Sequence, residues 1–523
     1  MNYSGTKALV MGLGLHGGGI ESAYYLARHG AQVTVTDLRD EKILAPSIER
    51  LEAACRTIPG QRLSGNIRYV LGRHEMQDFE NADIVIKNPG VKPDSPYLQA
   101  AKRIETDISL FLASIGSADS VGSADSIGSA DHAGGDASSV RLIAVTGSKG
   151  KSSTTAAIHW VLQNAHGQEN AAPPEKKLAG KAWLGGNITV SPLSFVDELS
   201  GDDDVALELS SWQLGDLRGR KRAGGLPGID LALLKPRAAV LTAIMPDHLD
   251  RYANMDAYIA DKRVIYQGQD SGDITVAADD AWGQSFHAES RGRPLVYSDT
   301  ELAAGVSGGW LAGPDEPGFA RFWDAPPTGI NVGETIELVP SRLLVPGFHQ
   351  KRNLLAAGLA LLGLGLEPEC IRGGLASFKG IEHRLEFFHE AQGLRFYNDS
   401  AATIPEAAAA ALTALSADAP VVLVTGGTDK NLDFSPLANA AGLAKAIVLL
   451  DGSGSDKLRQ LLDVQGTSFL GPFDSVEKAV RAAAAAACAG DSIVLSPGCA
   501  SFGMFLNEFD RGRKWKEAVV SFA

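Results

Sequence analysis

The stretch from Arg141 to Ser153 limits the fold of this chain more than any other. An apolar run, Arg141-Leu142-Ile143-Ala144-Val145, leads directly into Thr146-Gly147-Ser148-Lys149-Gly150-Lys151-Ser152-Ser153, after which the pattern is helical. Strand, glycine loop and helix in that order aim backbone N–H groups and a helix N-terminus at phosphate oxygens. On this reading Gly147, Ser148, Lys149, Gly150, Lys151, Ser152 and Ser153 surround a nucleoside triphosphate. Lys151 bridges the β- and γ-phosphates, and the Ser152 hydroxyl is a ligand to Mg²⁺. Val145 stands where the usual phosphate loop has its first glycine, and the competing reading is a glycine-rich turn with a surface lysine.

A second glycine run, Gly12-Leu13-Gly14-Leu15-His16-Gly17, also lies between a predicted strand (Ala8 to Met11) and a predicted helix (Ile20 to His29). Asp37 closes the next strand, Gln32 to Thr36, where a ribose-binding acid is expected. By itself this run fits a dinucleotide oxidoreductase, a nucleotide-diphosphate binder or a merely structural turn. The phosphate loop downstream favours a ligand that carries its own pyrophosphate. A further strand, Ala82 to Lys87, ends at Asn88-Pro89-Gly90.

With 523 residues the chain is too long for one ordinary core, and three domains are expected. The first spans residues 1–112. Residues 113–139 carry a Gly-Ser-Ala-Asp repeat with little to bury and read as a flexible linker, and a second polar insertion lies near Gly167 to Lys181. The phosphate-loop domain covers 140–378, through the helix that follows His349. A third domain, 379–523, alternates strands at Leu394 to Tyr397, Val421 to Thr425, Ala446 to Leu450 and Ser492 to Leu495 with helical stretches, the pattern of another parallel sheet.

A formal net charge of -14 argues against a nucleic-acid or anionic-membrane surface, so phosphates have to be met locally. The four cysteines show no C-x-x-C spacing, which suggests neither a zinc site nor a disulfide framework. No signal-peptide pattern opens the chain and no apolar run is long enough to span a bilayer; a cytoplasmic protein is expected.

Two further clusters carry chemistry: Glu208-Leu209-Ser210-Ser211-Trp212-Gln213-Leu214 and Asp247-His248-Leu249-Asp250-Arg251-Tyr252. A carboxylate and a neutral imidazole on separate strand ends could hold a second Mg²⁺ beside the triphosphate, although each alone could be a cap or a surface charge. Together with the phosphate loop, and in this order, they resemble the Mur ligase family, and within it the members that add D-glutamate. The resemblance includes Gly186-Asn187-Ile188, Tyr258 to Lys262, His349 to Asn353, Glu382-His383-Arg384, Asn398 to Thr403, Gly426 to Lys430 and Ser496 to Phe502.

The resemblance implies an α/β protein of three domains: an N-terminal Rossmann-like UDP-binding domain, a central P-loop ATPase domain and a C-terminal Rossmann-like domain. It implies ATP and Mg²⁺ as cofactors, UDP-N-acetylmuramoyl-L-alanine and glutamate as further substrates, and a monomer. Leu15, His16, Asp37, Arg39, Gly90 and Asn187 would hold the UDP precursor. Ser152, Glu208, His248 and Lys262, the last as a carbamate, would bind metal. Asn353, Arg384 and Asp399 would contact ATP, with Lys151, Lys262, His248 and Arg384 catalytic. Thr403, Lys430, Ser501 and Phe502 would surround the amino acid. Departures from the family pattern are Lys149, Gln350, Ala401 and Glu508. An L-glutamate-adding variant and a folate polyglutamate synthase-like ligase are the alternatives within ligases, and a nucleotide-controlled binding protein the alternative outside them.

Overall fold

A computed structural model describes residues 2–15, 17–56, 67–92, 94–121, 140–167, 178–187, 190–218, 234–248 and 251–522. His16, most of the Gly-Ser-Ala-Asp repeat, residues 168–177 of the second insertion, Ile188, Leu249 and Asp250 lie outside them.

Three sheets form, in the expected order along the chain. The first has β1 (Lys7–Met11), β2 (Gln32–Asp37), β3 (Ile67–Leu71), β4 (Ile84–Lys87) and β5 (Ile104–Glu105) in the order β3-β2-β1-β4-β5, all parallel. The second contains β6 (Arg141–Thr146), β7 (Ala182–Gly186), β8 (Asp204–Glu208), β9 (Ala238–Leu241), β10 (Ile274–Ala278), β11 (Arg293–Ser298), β12 (Gly308–Leu311), β13 (Gly318–Arg321) and β14 (Thr335–Val339). Its order is β14-β13-β12-β11-β10-β9-β6-β8-β7. The third, β15 (Glu386–Ala391), β16 (Leu394–Asn398), β17 (Val421–Thr425), β18 (Ala444–Leu450), β19 (Leu470–Phe473) and β20 (Ser492–Leu495), has the order β15-β16-β20-β17-β18-β19. Only β15 runs antiparallel to its neighbour there.

The central strands β9, β17 and β20 are apolar, fully buried runs because both faces of a parallel sheet are covered. In the third sheet Val421, Leu423 and Val494 belong to one core cluster and Val422, Val424, Ile493 and Leu495 to another, the alternation that a pleated strand imposes.

The chain divides into two compact units, one of residues 1–310, 319–338 and 355–371, the other of 311–318, 339–354 and 372–523. The first two sheets, expected to head separate domains, share one hydrophobic core that runs from Val10 and Leu26 through Phe111 to Leu207 and Tyr258. The turns of the Phe348–Gly363 helix that carry His349 and Asn353 belong with the third sheet's unit, although the sequence reading put them with the phosphate loop. The helix Asp107–Val121 also runs into the stretch read as linker from residue 113.

Within the first unit, a buried ion pair ties the five-stranded sheet to the nine-stranded one. Lys87, at the end of β4, donates to the Asp216 carboxylate at 2.6 Å, and both side chains are almost fully enclosed. Removing one partner of such a pair leaves a buried charge uncompensated, at a cost of about 3–5 kcal/mol. Lys87→Met should therefore lower unfolding stability by that amount in urea titration. A change below about 1 kcal/mol would show that the pair is worth no more than a surface bridge.

Candidate functional site

The register of the nine-stranded sheet brings the phosphate loop and the acidic cluster to one edge. Val145 pairs with Glu208 across β6 and β8, Gly186 with Glu208 across β7 and β8, and Thr146 with Leu241 across β6 and β9. The residues after each strand, Asn187, Leu209, Gly147 and Thr242, thus emerge side by side at the carboxyl ends, where ligands of open α/β sheets bind.

Gly147 has φ of 150°, and a Cβ there would lie 1.9 Å from the Thr242 Oγ1, so only glycine fits. Thr242 in turn donates to the carbonyl oxygen of Lys149 at 2.7 Å. The Ser148 hydroxyl meets the Met245 carbonyl at 2.8 Å and the Tyr258 hydroxyl at 2.9 Å, and the Ser148 and Lys149 amides donate to the Ala243 carbonyl. Ser148 and Lys149 therefore hold the loop's shape rather than face a phosphate with these groups. The amides of Lys151, Ser152 and Ser153 open the helix Lys151–His166 and have no intrahelical acceptor. Lys151 Nζ lies over the loop, 3.1 Å from the Gly147 oxygen and 3.0 Å from that of Ser148. Lys149 is exposed, its ammonium 3.8 Å from Asp247.

Lys262, the last residue of the helix Met255–Lys262, is fully buried and donates to the same Gly147 oxygen at 2.6 Å. Burial, with the Lys151 ammonium adding to it, holds its pKa well below that of an ordinary lysine. Glu208 is also buried. Its Oε1 accepts from Asn187 Nδ2 at 2.9 Å, whereas Oε2 has no partner among the described residues. An orphaned buried carboxylate oxygen beside a phosphate loop has the donor chemistry that a hard cation needs, and the site fits Mg²⁺ on that ground. His248 adopts φ of 54°, an uncommon conformation for a non-glycine residue, and packs against Trp212 with ring centroids 5.1 Å apart. Arg251 stacks on the other part of this wall, 3.9 Å from the Trp212 ring centre.

The first glycine run borders a separate cleft of about 420 Å³, lined by Gly12, Gly14, Leu15, Asp37, Arg39 and Gly90 among others. Asp37 accepts from the Gly14 amide at 3.2 Å and the Arg39 amide at 2.9 Å, so its carboxylate braces the loop. Asn88 does the same for Gly90, whose amide it accepts at 3.1 Å. Asn187, grouped from the sequence with the precursor-binding residues, donates one amide proton to Glu208.

In the second unit, the loops after β16, β20 and β17 converge. Asp399 is buried, which pushes its carboxyl up to about 7 despite donors at Ser496 (2.6 Å) and the Leu385 amide (3.1 Å) and the nearby Arg384. Arg384 is exposed between two left-handed residues, His383 (φ 66°) and Leu385 (φ 45°). Asn353 donates to Gln350 Oε1 at 3.1 Å, so the departure at 350 orients the asparagine. Thr428 and Ala500 exchange backbone hydrogen bonds, and the Thr428 hydroxyl donates to the Phe502 carbonyl. This lacing sets the Lys430 ammonium 5.7 Å from the centre of the Phe502 ring, which is 60% exposed. Thr403 follows Ala402, whose carbonyl accepts from the Gly498 amide, and Ser501 is buried one residue before Phe502.

Sequence reasoning passed over Arg511. It is 0% exposed and donates to the Ser400 hydroxyl (3.1 Å), the Ser400 carbonyl (2.8 Å) and the Cys499 carbonyl (3.1 Å), joining two of the three loops. A signal was present in the glycine that follows it: a Cβ on Gly512 would lie 2.1 Å from His383 Nδ1.

A phosphate loop flanked by a buried lysine and an orphaned carboxylate, a separate glycine-run cleft and a third parallel sheet with its own loop cluster define a nucleotide-dependent α/β enzyme of several stations. Residues 6–109 match the family model described as Mur ligase MurD-like, N-terminal domain; 145–361 match Mur ligase middle domain; and 383–499 match Mur ligase, glutamate ligase domain. The chain is 39% identical to the UDP-N-acetylmuramoylalanine--D-glutamate ligase of Treponema pallidum (strain Nichols), covering 98% of this chain and 97% of that one. It is 37% identical to the protein of the same name from Roseiflexus sp. (strain RS-1), over the full length of both. Among solved structures, a UDP-N-acetylmuramate-alanine ligase from Thermotoga maritima superposes with a TM-score of 0.53 at 16% identity, over 99% of this chain and 100% of that one. The chain belongs to the Mur ligase family. Among the described residues no helix is long and apolar enough to cross a membrane.

Proposed function

We propose that the chain joins D-glutamate to UDP-N-acetylmuramoyl-L-alanine at the expense of ATP. Glu208 and its neighbours support this reading most directly: an unpartnered, buried carboxylate oxygen beside a phosphate loop and a buried lysine of depressed pKa. In the first step the precursor's terminal carboxylate attacks the γ-phosphorus of ATP; an O–P bond forms, the bond to ADP breaks, and an acyl phosphate results. The glutamate amine then attacks the acyl carbon, loses a proton and expels phosphate. The chain's part is to position the reactants and to neutralise charge.

Lys151 and the amides of Lys151, Ser152 and Ser153 receive the phosphates. Ser152, Glu208, His248 and the carbamate of Lys262 would hold Mg²⁺, which supplies neutralisation of the triphosphate charge when bound. Lys262 can become that carbamate because burial pushes its amine toward the neutral form: nitrogen attacks CO₂, an N–C bond forms, and a proton leaves to solvent. Leu15, Asp37, Arg39 and Gly90, which border the cleft, would hold the UDP precursor together with His16 and Asn187, and Asn187 also orients Glu208. Asn353, Arg384 and Asp399 contribute the ATP contacts of the second unit, and Thr403, Lys430, Ser501 and Phe502 take the amino acid.

The departures at 401 and 508 leave local backbone bonds in place. Ala401 is tied through its amide to the His383 carbonyl, and Ser400 donates to the backbone carbonyl of Glu508 at 2.6 Å, a bond any residue at 508 supplies. The direct test is phosphate release from ATP by the purified protein. It should require precursor and glutamate together; release independent of both would favour a nucleotide-switched binding protein.

Lys430 gives a second handle. Its ammonium suits a carboxylate of the incoming amino acid, and loss of a charge-assisted hydrogen bond costs roughly 1.5–3 kcal/mol. Lys430→Ala should raise the KM for glutamate by about one to two orders of magnitude while the KM for ATP and for precursor stay within about twofold. Equal loss for all three substrates would remove Lys430 from the amino-acid pocket.

A further inference from the structure

We propose that the Lys351 ammonium is a tethered monovalent cation that fixes the first turn of the Phe348–Gly363 helix, and through it Asn353, to two loops of the same unit. Lys351 is only 2% exposed. Its Nζ donates to the carbonyl oxygens of Pro314 (2.8 Å), Ser341 (3.3 Å), Gly313 (3.4 Å) and Glu316. All four partners are backbone carbonyls from two separate segments, and the carboxylates of Asp315, Glu316 and Asp418 act on it only at longer range. A buried charge ordinarily sits against an opposite charge. Here carbonyl dipoles carry that task, with more acceptors than the ammonium has protons to give.

That arrangement is the coordination sphere of a bare cation, in which a ring of carbonyls replaces hydration. An ammonium and a potassium ion are close in size, so the cage should accept either. The helix turn transmits the constraint. The amides of Gln350 and Lys351 both donate to the Gly347 carbonyl, and Gln350 Oε1 holds the Asn353 amide. The link to nucleotide rests on the assignment of Asn353 to ATP proposed above.

Two variants test the cage. Lys351→Ala opens it, whereas Lys351→Met fills it with an uncharged stem. At matched ionic strength, Lys351→Ala should melt lower than wild type in choline or lithium chloride and recover by at least about 3 °C in potassium or ammonium chloride. Its KM for ATP should rise about tenfold, the equivalent of one lost hydrogen bond to a charged group, and fall back with the same cations. Lys351→Met should stay impaired in every salt, and wild type should show no comparable salt preference. If Lys351→Ala fails to fold in choline chloride, circular dichroism across a potassium titration supplies the same reading. The proposal is overturned if Lys351→Ala matches wild type in all salts, or is impaired equally in potassium and choline. Asn353→Ala separates the two readings: an unchanged ATP KM there would sink the nucleotide assignment and leave the cation-dependent melting as the test of the cage alone.

Discussion

Lys151→Ala should lower the rate of ligation by at least about 10²–10³-fold, the usual cost of losing one preorganised donor at a developing charge. The lysine opens the phosphate-loop helix, with its ammonium over the loop carbonyls at the proposed phosphate site. Affinity for the UDP precursor should be nearly unchanged, because the cleft of Gly12, Asp37 and Gly90 grows from strands of another sheet. Equilibrium binding of precursor to the folded variant checks this. Loss of precursor binding together with catalysis would contradict the assignment of the two ligands to separate stations.

Lys262→Ala should be impaired by a similar factor, and for a different reason. The wild-type amine is buried, held near Gly147 and pushed toward its neutral form, the state that captures CO₂. What the variant lacks is then an anion, so formate or acetate should restore part of the activity, and wild-type protein should respond to bicarbonate. Mass spectrometry of the intact protein under CO₂ reads the same modification directly. Full activity of Lys262→Ala, or a loss that no carboxylate relieves, would leave the lysine as a structural donor to the loop.

The strands and the phosphate loop were legible because both are local. Val421–Thr425 and Ser492–Leu495 stand where the apolar runs placed them, and the Gly147 to Ser153 loop joins strand to helix as its composition requires. What the sequence hid was set by distant partners. Nothing near Ser148 announces that its hydroxyl is taken by Met245 and Tyr258, nor does anything near Asn187 point to Glu208. Arg511 sits in Glu508-Phe509-Asp510-Arg511-Gly512-Arg513-Lys514, a charged run that reads as a solvated helix face, and its burial follows from loops over a hundred residues earlier. The domain pattern was legible as three sheets, but the shared core of the first two was not, since Phe111 and Tyr258 look like any core residue until their neighbours are known.

The amino acid that is added can be read directly from the product. Purified protein, UDP-N-acetylmuramoyl-L-alanine, ATP and magnesium should be incubated with D-glutamate and with L-glutamate in separate reactions, and the nucleotide products weighed by mass spectrometry. A precursor heavier by one glutamyl residue, matched by one phosphate released, is expected in the D-glutamate reaction. Product from L-glutamate alone, or ATP turnover with neither product, would contradict the assignment of D-glutamate.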